Sequence, residues 1–209
     1  FCNQLLKGFD ITVAASVLLM KNKSFSSSDI VDRLGLPLFV KPADSGSSYG
    51  ISKVYNQEEL QPAIEDAFKE GRTVVCESFL KGTEVTCAAY ENNKGLQVLP
   101  CTEIVTETDY FDYEAKYLGK AKEITPARIP KDLTIKIQTL TKEIYALLQM
   151  RSLARVDYMI VDGEPYVIEV NSTPGFSGES LVPKMLKCAN IKIGDFWKEI
   201  YAFERRRFG

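Results

Sequence analysis

The stretch Arg155-Val156-Asp157-Tyr158-Met159-Ile160-Val161-Asp162-Gly163-Glu164-Pro165-Tyr166-Val167-Ile168-Glu169-Val170-Asn171 reads as two strands joined at an Asp-Gly turn. With Gly163 at the tip, Val156 faces Val170, Tyr158 faces Ile168 and Ile160 faces Tyr166, which makes one apolar face at the two-residue period of strands. The same register sets Asp157 against Glu169 and Arg155 against Asn171 on the other face. Like charges directly opposed across a sheet repel, with Cβ atoms about 4.5–5.5 Å apart, so something cationic belongs between the two carboxylates. Two readings stay open from the hairpin alone. A magnesium ion suits carboxylate and amide oxygens and shares its remaining positions with water or phosphate. Alternatively the face is solvated and Arg155 neutralises the pair.

Outward from the hairpin, Leu133, Ile137, Leu140, Ile144 and Leu147 fall at helical spacing, which predicts an amphipathic helix over 132–149. Residues 106–124 are polar and aromatic and read as a long loop, a feature that is uncommon unless functional. Strands are expected at 12–19, 38–40, 51–55, 73–79, 84–90 and, interrupted at Pro100, 96–105. The run Ser26-Ser27-Ser28 supplies a cap for a short helix ending at Gly35. Asn56 and Glu59 form a capping box for a helix running to about Lys69, before Gly71. Two short helices close the chain, the second with Phe196, Ile200 and Phe203 as its apolar face. Strands cluster in hairpins with helices between the clusters, an α+β pattern.

Phe39-Val40-Lys41-Pro42-Ala43-Asp44-Ser45-Gly46-Ser47-Ser48 sets a lysine at the end of an apolar strand, with a small-residue loop directly after it. Such a loop lets backbone N–H groups approach phosphate oxygens, and the lysine adds a point charge. The order is neither a Walker A loop nor a dinucleotide-binding fingerprint, and alone such a loop is more often an ordinary turn. Val74 to Leu80 is an apolar strand broken by Glu77, suited to the edge of an adenine or simply to a sheet.

Bulk properties exclude several function classes. The 209 residues carry a net charge of -2, which provides no electrostatic case for nucleic acid or an anionic membrane. No apolar run approaches the roughly 20 residues of a membrane-spanning helix. The five cysteines are scattered without a C-x-x-C pair, which fits a reducing compartment. Histidine is absent, so serine–histidine and cysteine–histidine mechanisms and histidine-ligated metals are excluded.

Taken together, these segments resemble the ATP-grasp superfamily and, within it, the D-alanine–D-alanine ligase family. The resemblance runs from near residue 1 to about residue 200. It rests on Phe39-Val40-Lys41-Pro42 with the segment 46–54, on Tyr110-Phe111-Asp112-Tyr113-Glu114-Ala115-Lys116-Tyr117, on Arg155-Val156-Asp157, on Glu169-Val170-Asn171-Ser172-Thr173-Pro174-Gly175-Phe176, and on Ser180-Leu181-Val182-Pro183. The resemblance implies two α+β subdomains, 1–80 and 81–209, gripping ATP between antiparallel sheets.

By the same resemblance, Lys41, Ser47, Ser48 and Lys116 bind ATP phosphates, and Glu77, Phe79, Leu80 and Glu84 hold its adenine and ribose. Asp157, Glu169 and Asn171 bind two magnesium (or manganese) ions. Arg155 and the N–H of Gly175 stabilise a tetrahedral intermediate, Ser180 and Leu181 hold the carboxylate of the second D-alanine, and Ser47 with Tyr117 links a mobile loop to the nucleotide loop. Tyr117 matches the residue associated with dipeptide rather than depsipeptide products. The implied activity joins two D-alanines through an acyl phosphate for peptidoglycan precursors in the bacterial cytoplasm. Family members are homodimers, largely through an N-terminal domain expected to be missing here, which leaves this piece as a monomer with weak or no activity. The alternatives are an ATP-grasp ligase with another acceptor and a non-catalytic nucleotide-binding domain.

Overall fold

A computed structural model describes residues 2–43, 50–106 and 121–208. The chain divides into two compact units. The smaller spans Ala14–Lys81, and the larger comprises Gly82–Val105, the chain from Ala121 onward and the N-terminal stretch up to Val13.

In the smaller unit, β1 (Ser16–Met20), β2 (Leu38–Pro42), β3 (Ser52–Val54) and β4 (Thr73–Ser78) form an antiparallel sheet in the order β1-β4-β2-β3. Strand alternation puts Leu38, Val40, Val54, Val74 and Cys76 on one face. There they bury against Ile30 and Leu34 of α2 (Ser27–Leu34) and Leu60, Ile64 and Ala67 of α3 (Gln57–Glu70). Both helices begin where a polar side chain takes up a free backbone donor. The Asp29 N–H donates to Ser26 Oγ at 3.2 Å, and the Glu59 N–H donates to Asn56 Oδ1 at 3.1 Å. The reciprocal half of the box is displaced by one residue, since the Glu59 carboxylate accepts from the N–H of Tyr55 at 2.9 Å.

The larger unit is built on a sheet of order β10-β9-β5-β7-β8, with β6 on β5. Its strands are β5 (Thr83–Asn92), β6 (Gly95–Val98), β7 (Thr102–Thr106), β8 (Ala121–Ile124), β9 (Leu153–Val161) and β10 (Glu164–Asn171). The amphipathic helix is α4 (Lys131–Leu147), and its Ile137 and Ile144 bury with Val85, Cys87, Val156, Tyr158 and Val167. Tyr158, fully buried, keeps a partner for its hydroxyl in Thr141 at 2.8 Å. Two C-terminal helices, α5 (Leu181–Cys188) and α6 (Ile193–Phe208), follow.

Three expectations are revised. Residues up to Val13, assigned from sequence to the first subdomain, pack in the larger unit. Leu6 of α1 (Cys2–Lys7) and Ile11 enter its core, and Thr12 O accepts from the N–H of Val167 at 2.9 Å. The single strand expected over 12–19 is therefore a bridge at Val13 to Val167 and a separate β1. Pro100, which lacks the N–H a ladder needs, separates β6 from β7 as expected; the third revision is the loop expected over 106–124, since Thr106 closes β7 and Ala121–Ile124 forms β8.

Candidate functional site

The hairpin of β9 and β10 carries the acidic cluster, with one correction to its register. Asp162 and Gly163 lie at φ 49° and 82°, the two positive values a two-residue hairpin turn requires, and they pair Val161 with Glu164. Continued unchanged, that register would set Asp157 opposite Ile168. A bulge between Val167 and Glu169 absorbs one residue and restores Glu169 opposite Asp157, Val170 opposite Val156 and Asn171 opposite Arg155. Tyr158 therefore faces Val167, and Ile160 faces Pro165, in place of Ile168 and Tyr166. The carbonyl left over at the bulge accepts from Asn3 Nδ2 at 3.1 Å.

Asp157, 6% exposed, takes hydrogen bonds from three side chains on this face. Arg155 grips it with a fork, Nε to Oδ1 and Nη2 to Oδ2, each 2.8 Å, while Arg155 stands 3.9 Å from Glu169. Thr86, opposite Asp157 on β5, donates its hydroxyl to Oδ1 at 2.5 Å. Asn171 Nδ2 lies 3.1 Å from Asp157 Oδ2 and 3.2 Å from Glu169 Oε1, so one amide joins both carboxylates on one side of the sheet. Burial alone would raise the Asp157 pKa, but bonds and charge from Arg155 and the Thr86 hydroxyl outweigh it and hold the carboxyl below its ordinary value.

This donor set fits a divalent hard cation. It offers two carboxylates and an amide from adjacent positions, few enough to leave places for water and phosphate oxygens. The Glu169 side chain is about half exposed, and a half-turn of the Asn171 amide presents its oxygen where its nitrogen now lies. Among the described residues no three His, Cys, Asp or Glu side chains gather into a metal cluster.

Beyond Asn171 the chain crosses to α5. Ser180 takes the N-cap position of that helix, and Leu181 is buried in its first turn. Ser180 Oγ accepts from the N–H of Ser177 at 3.0 Å and lies 2.9 Å from its hydroxyl. A Cβ on Gly175 would stand 3.1 Å from Ser180 Oγ, so the glycine lets the backbone approach that hydroxyl closely.

In the smaller unit, Lys41 and Glu77 form an ion pair on the sheet face opposite the core. Phe39 and Phe79 share this face edge to face, 5.8 Å between ring centroids, and Lys53 lies over the Phe79 ring at 3.8 Å. Leu80 follows, half-buried. Glu84, at the start of β5 in the larger unit, pairs with Met159 and so shares the face of Thr86 and Asp157. Ser47, Ser48, Lys116 and Tyr117 lie outside the described residues. Thr86 and Lys53 were not assigned roles from sequence. Thr86 could have been found from the alternation Glu84-Val85-Thr86-Cys87-Ala88, which turns Glu84 and Thr86 to one face.

The two α+β units, each on an antiparallel sheet, with a lysine–glutamate pair on one sheet and an Asp-Glu-Asn cluster on the other, define an ATP-grasp fold. Solved structures agree. The D-alanine–D-alanine ligase of Bacillus anthracis complexed with ATP superposes with a TM-score of 0.83 at 29% identity over 98% of this chain and 64% of that one. The VanG D-Ala:D-Ser ligase of Enterococcus faecalis does so at 0.86 and 34% over 96% and 59%. The sequence model of the family described as D-ala D-ala ligase C-terminus matches residues 5–201, and the chain belongs to that family. It is 47% identical to a D-alanine–D-alanine ligase of Parabacteroides distasonis and 44% identical to one of Bacteroides fragilis, over 95% of this chain in both. The chain spans about three-fifths of the length of these relatives, 61% and 62%.

Proposed function

We propose that this chain carries the catalytic ATP-grasp portion of a ligase that joins two D-alanines, forming ADP and phosphate, for peptidoglycan precursor synthesis in the bacterial cytoplasm. The observation that carries this reading is the cluster of Asp157, Glu169, Asn171 and Arg155 on one sheet face of a chain in this family. Asp157, Glu169 and Asn171 would hold magnesium or manganese, two ions in the full site. The metal, when bound, offsets the charge of the phosphate oxygens during transfer.

Lys41 and Lys116, with Ser47 and Ser48, orient the phosphates, and Glu77, Phe79, Leu80 and Glu84 hold the adenosine. The first D-alanine carboxylate attacks the γ-phosphate and becomes an acyl phosphate. The amine of the second D-alanine attacks that acyl carbon, and phosphate leaves. Arg155 and the Gly175 N–H meet the negative charge on the tetrahedral carbon's oxygen. Ser180 and Leu181 fix the second carboxylate, which aims its amine. By the family resemblance, Ser47 and Tyr117 have the role of linking their two loops. The subdomain assignment that goes with this reading is 1–80 and 81–209, apart from the packing of the first residues, and the whole protein is a homodimer. Among the described residues no helix is long and apolar enough to cross a membrane.

The likeness to a D-Ala:D-Ser ligase makes D-serine the second acceptor to try. The decisive assay is ADP release by the natural full-length protein with D-alanine, D-serine or D-lactate. D-alanine is expected to give the highest rate. Asp157→Asn with Glu169→Gln is expected to abolish magnesium-dependent ATP binding while the fold persists. Nucleotide binding untouched by that double change would sink the assignment.

A further inference from the structure

The segment between Asn171 and Ser180 holds the backbone of Gly175, and its path is decided by an element that follows it in sequence. Phe176 stacks on Phe196 of α6, ring centroids 5.8 Å apart and planes 13° from parallel. It also meets Trp197 at 4.8 Å, tilted by 58°. Phe196 and Trp197 touch each other at 5.1 Å, and Phe196, 1% exposed, packs against Tyr90 of β5 at 4.9 Å. Tyr90 lies on the strand that also presents Thr86 to Asp157. The segment is held a second time one residue later, where the Ser177 N–H and hydroxyl meet Ser180 Oγ. Gly175 lies immediately before these two anchors. Through the two residues that follow it, its backbone is thus tied both to the sheet, by way of the aromatic rings, and to the N-cap of α5.

We propose that Trp197 and Phe196 act as positioning residues for the reaction: by clamping Phe176 they set where the Gly175 N–H points. This rests on the ligase reading given above. An N–H that stabilises a developing oxyanion works only over a narrow range of distance, about 2.7–3.1 Å. A shift near 1 Å costs up to about a hundredfold in rate. Trp197 is the informative member, because it is 40% exposed and contributes little to the buried core, whereas Phe196 is part of that core.

The test uses the natural full-length protein with Trp197→Ala and Trp197→Phe. Hydrogen exchange in 172–179 should rise in Trp197→Ala while β5 and β9 keep their protection, and Trp197→Phe should stay near the parent. In steady state Trp197→Ala should lower kcat on the order of tenfold with little change in KM for ATP, and Trp197→Phe should recover most of it. Unchanged exchange in 172–179 overturns the clamp. Raised exchange with unchanged kcat overturns its role in the reaction, as does a loss confined to KM for ATP. A parent protein that never turns over D-alanine refutes the ligase reading and the catalytic role with it, while the exchange data still decide whether the clamp exists.

Discussion

At the scale of the residue, the chemistry centres on how Asp157 stays charged while almost fully buried. A carboxylate removed from water is costly unless it is paired and hydrogen-bonded. Arg155 supplies the charge through two 2.8 Å bonds, and Thr86 and Asn171 supply the remaining donors. Arg155 thus neutralises Asp157 within the chain itself, while Glu169 reaches solvent. Of the two readings of this face, the structure shows the arginine pairing directly, and the cation site remains the proposal made above. Replacing Thr86 with valine keeps the shape and removes a donor, and is expected to cost about 1–3 kcal/mol in urea unfolding at pH 7. The pH dependence follows from the lowered Asp157 pKa. Stability from a depressed carboxylate is present above the unfolded value, about 3.9, and is lost as pH falls through the folded one. The difference between Thr86→Val and parent should therefore shrink below about pH 4. A difference that stays constant down to the acid limit would show that Thr86 acts through packing alone.

At the scale of the element, the hairpin satisfies two demands with incompatible registers. The Asp162-Gly163 turn favours one alignment, the opposition of Asp157 and Glu169 needs another, and the bulge reconciles them. Asn3 makes the bulge tolerable by taking its carbonyl. A second constraint lies at the start of β5, where Gly82 runs against the backbone of β9. A Cβ there would fall 1.9 Å from the carbonyl oxygen of Ile160, which no side-chain adjustment relieves. Gly82→Ala is expected to lose roughly 2–3 kcal/mol or more, since the backbone of β5 or β9 must move. The measurement is the urea midpoint, with the slope checked for two-state behaviour. A midpoint equal to the parent's would contradict so close an approach.

At the scale of the molecule, each unit has its own main core among the described residues, one around Ile64 and Leu60, the other around Ile137, Ile144 and Tyr158. Separate cores imply separate cooperative units in local opening. Ile64→Ala, at a position with no exposure, should cost about 3 kcal/mol. Its raised hydrogen exchange should be confined to residues 14–81. Equal loss of protection in β5 and β9 would mean that the two cores open as one.

Much of this architecture was legible in the residues. The Asp-Gly turn, the capped helices, the α+β order and the opposition of Asp157 to Glu169 all follow from patterns within a few residues of one another, where periodicity and turn chemistry act directly. The apolar pairing of the hairpin differs from the expected one because a bulge has no signature in the unbroken apolar run Pro165-Tyr166-Val167-Ile168. Alternation turns Thr86 to the right face, but its meeting with Asp157, like that of Phe176 with Phe196, joins positions twenty or more residues apart and is not encoded locally. The packing of the first residues with the larger unit, the Lys41–Glu77 pair and the sharing of Asp157 among three donors were decided only in three dimensions. The chain by itself determined which residue types were available and which face each would take; folding decided which distant side chains meet, because long-range contacts depend on core packing and strand order that local sequence does not encode.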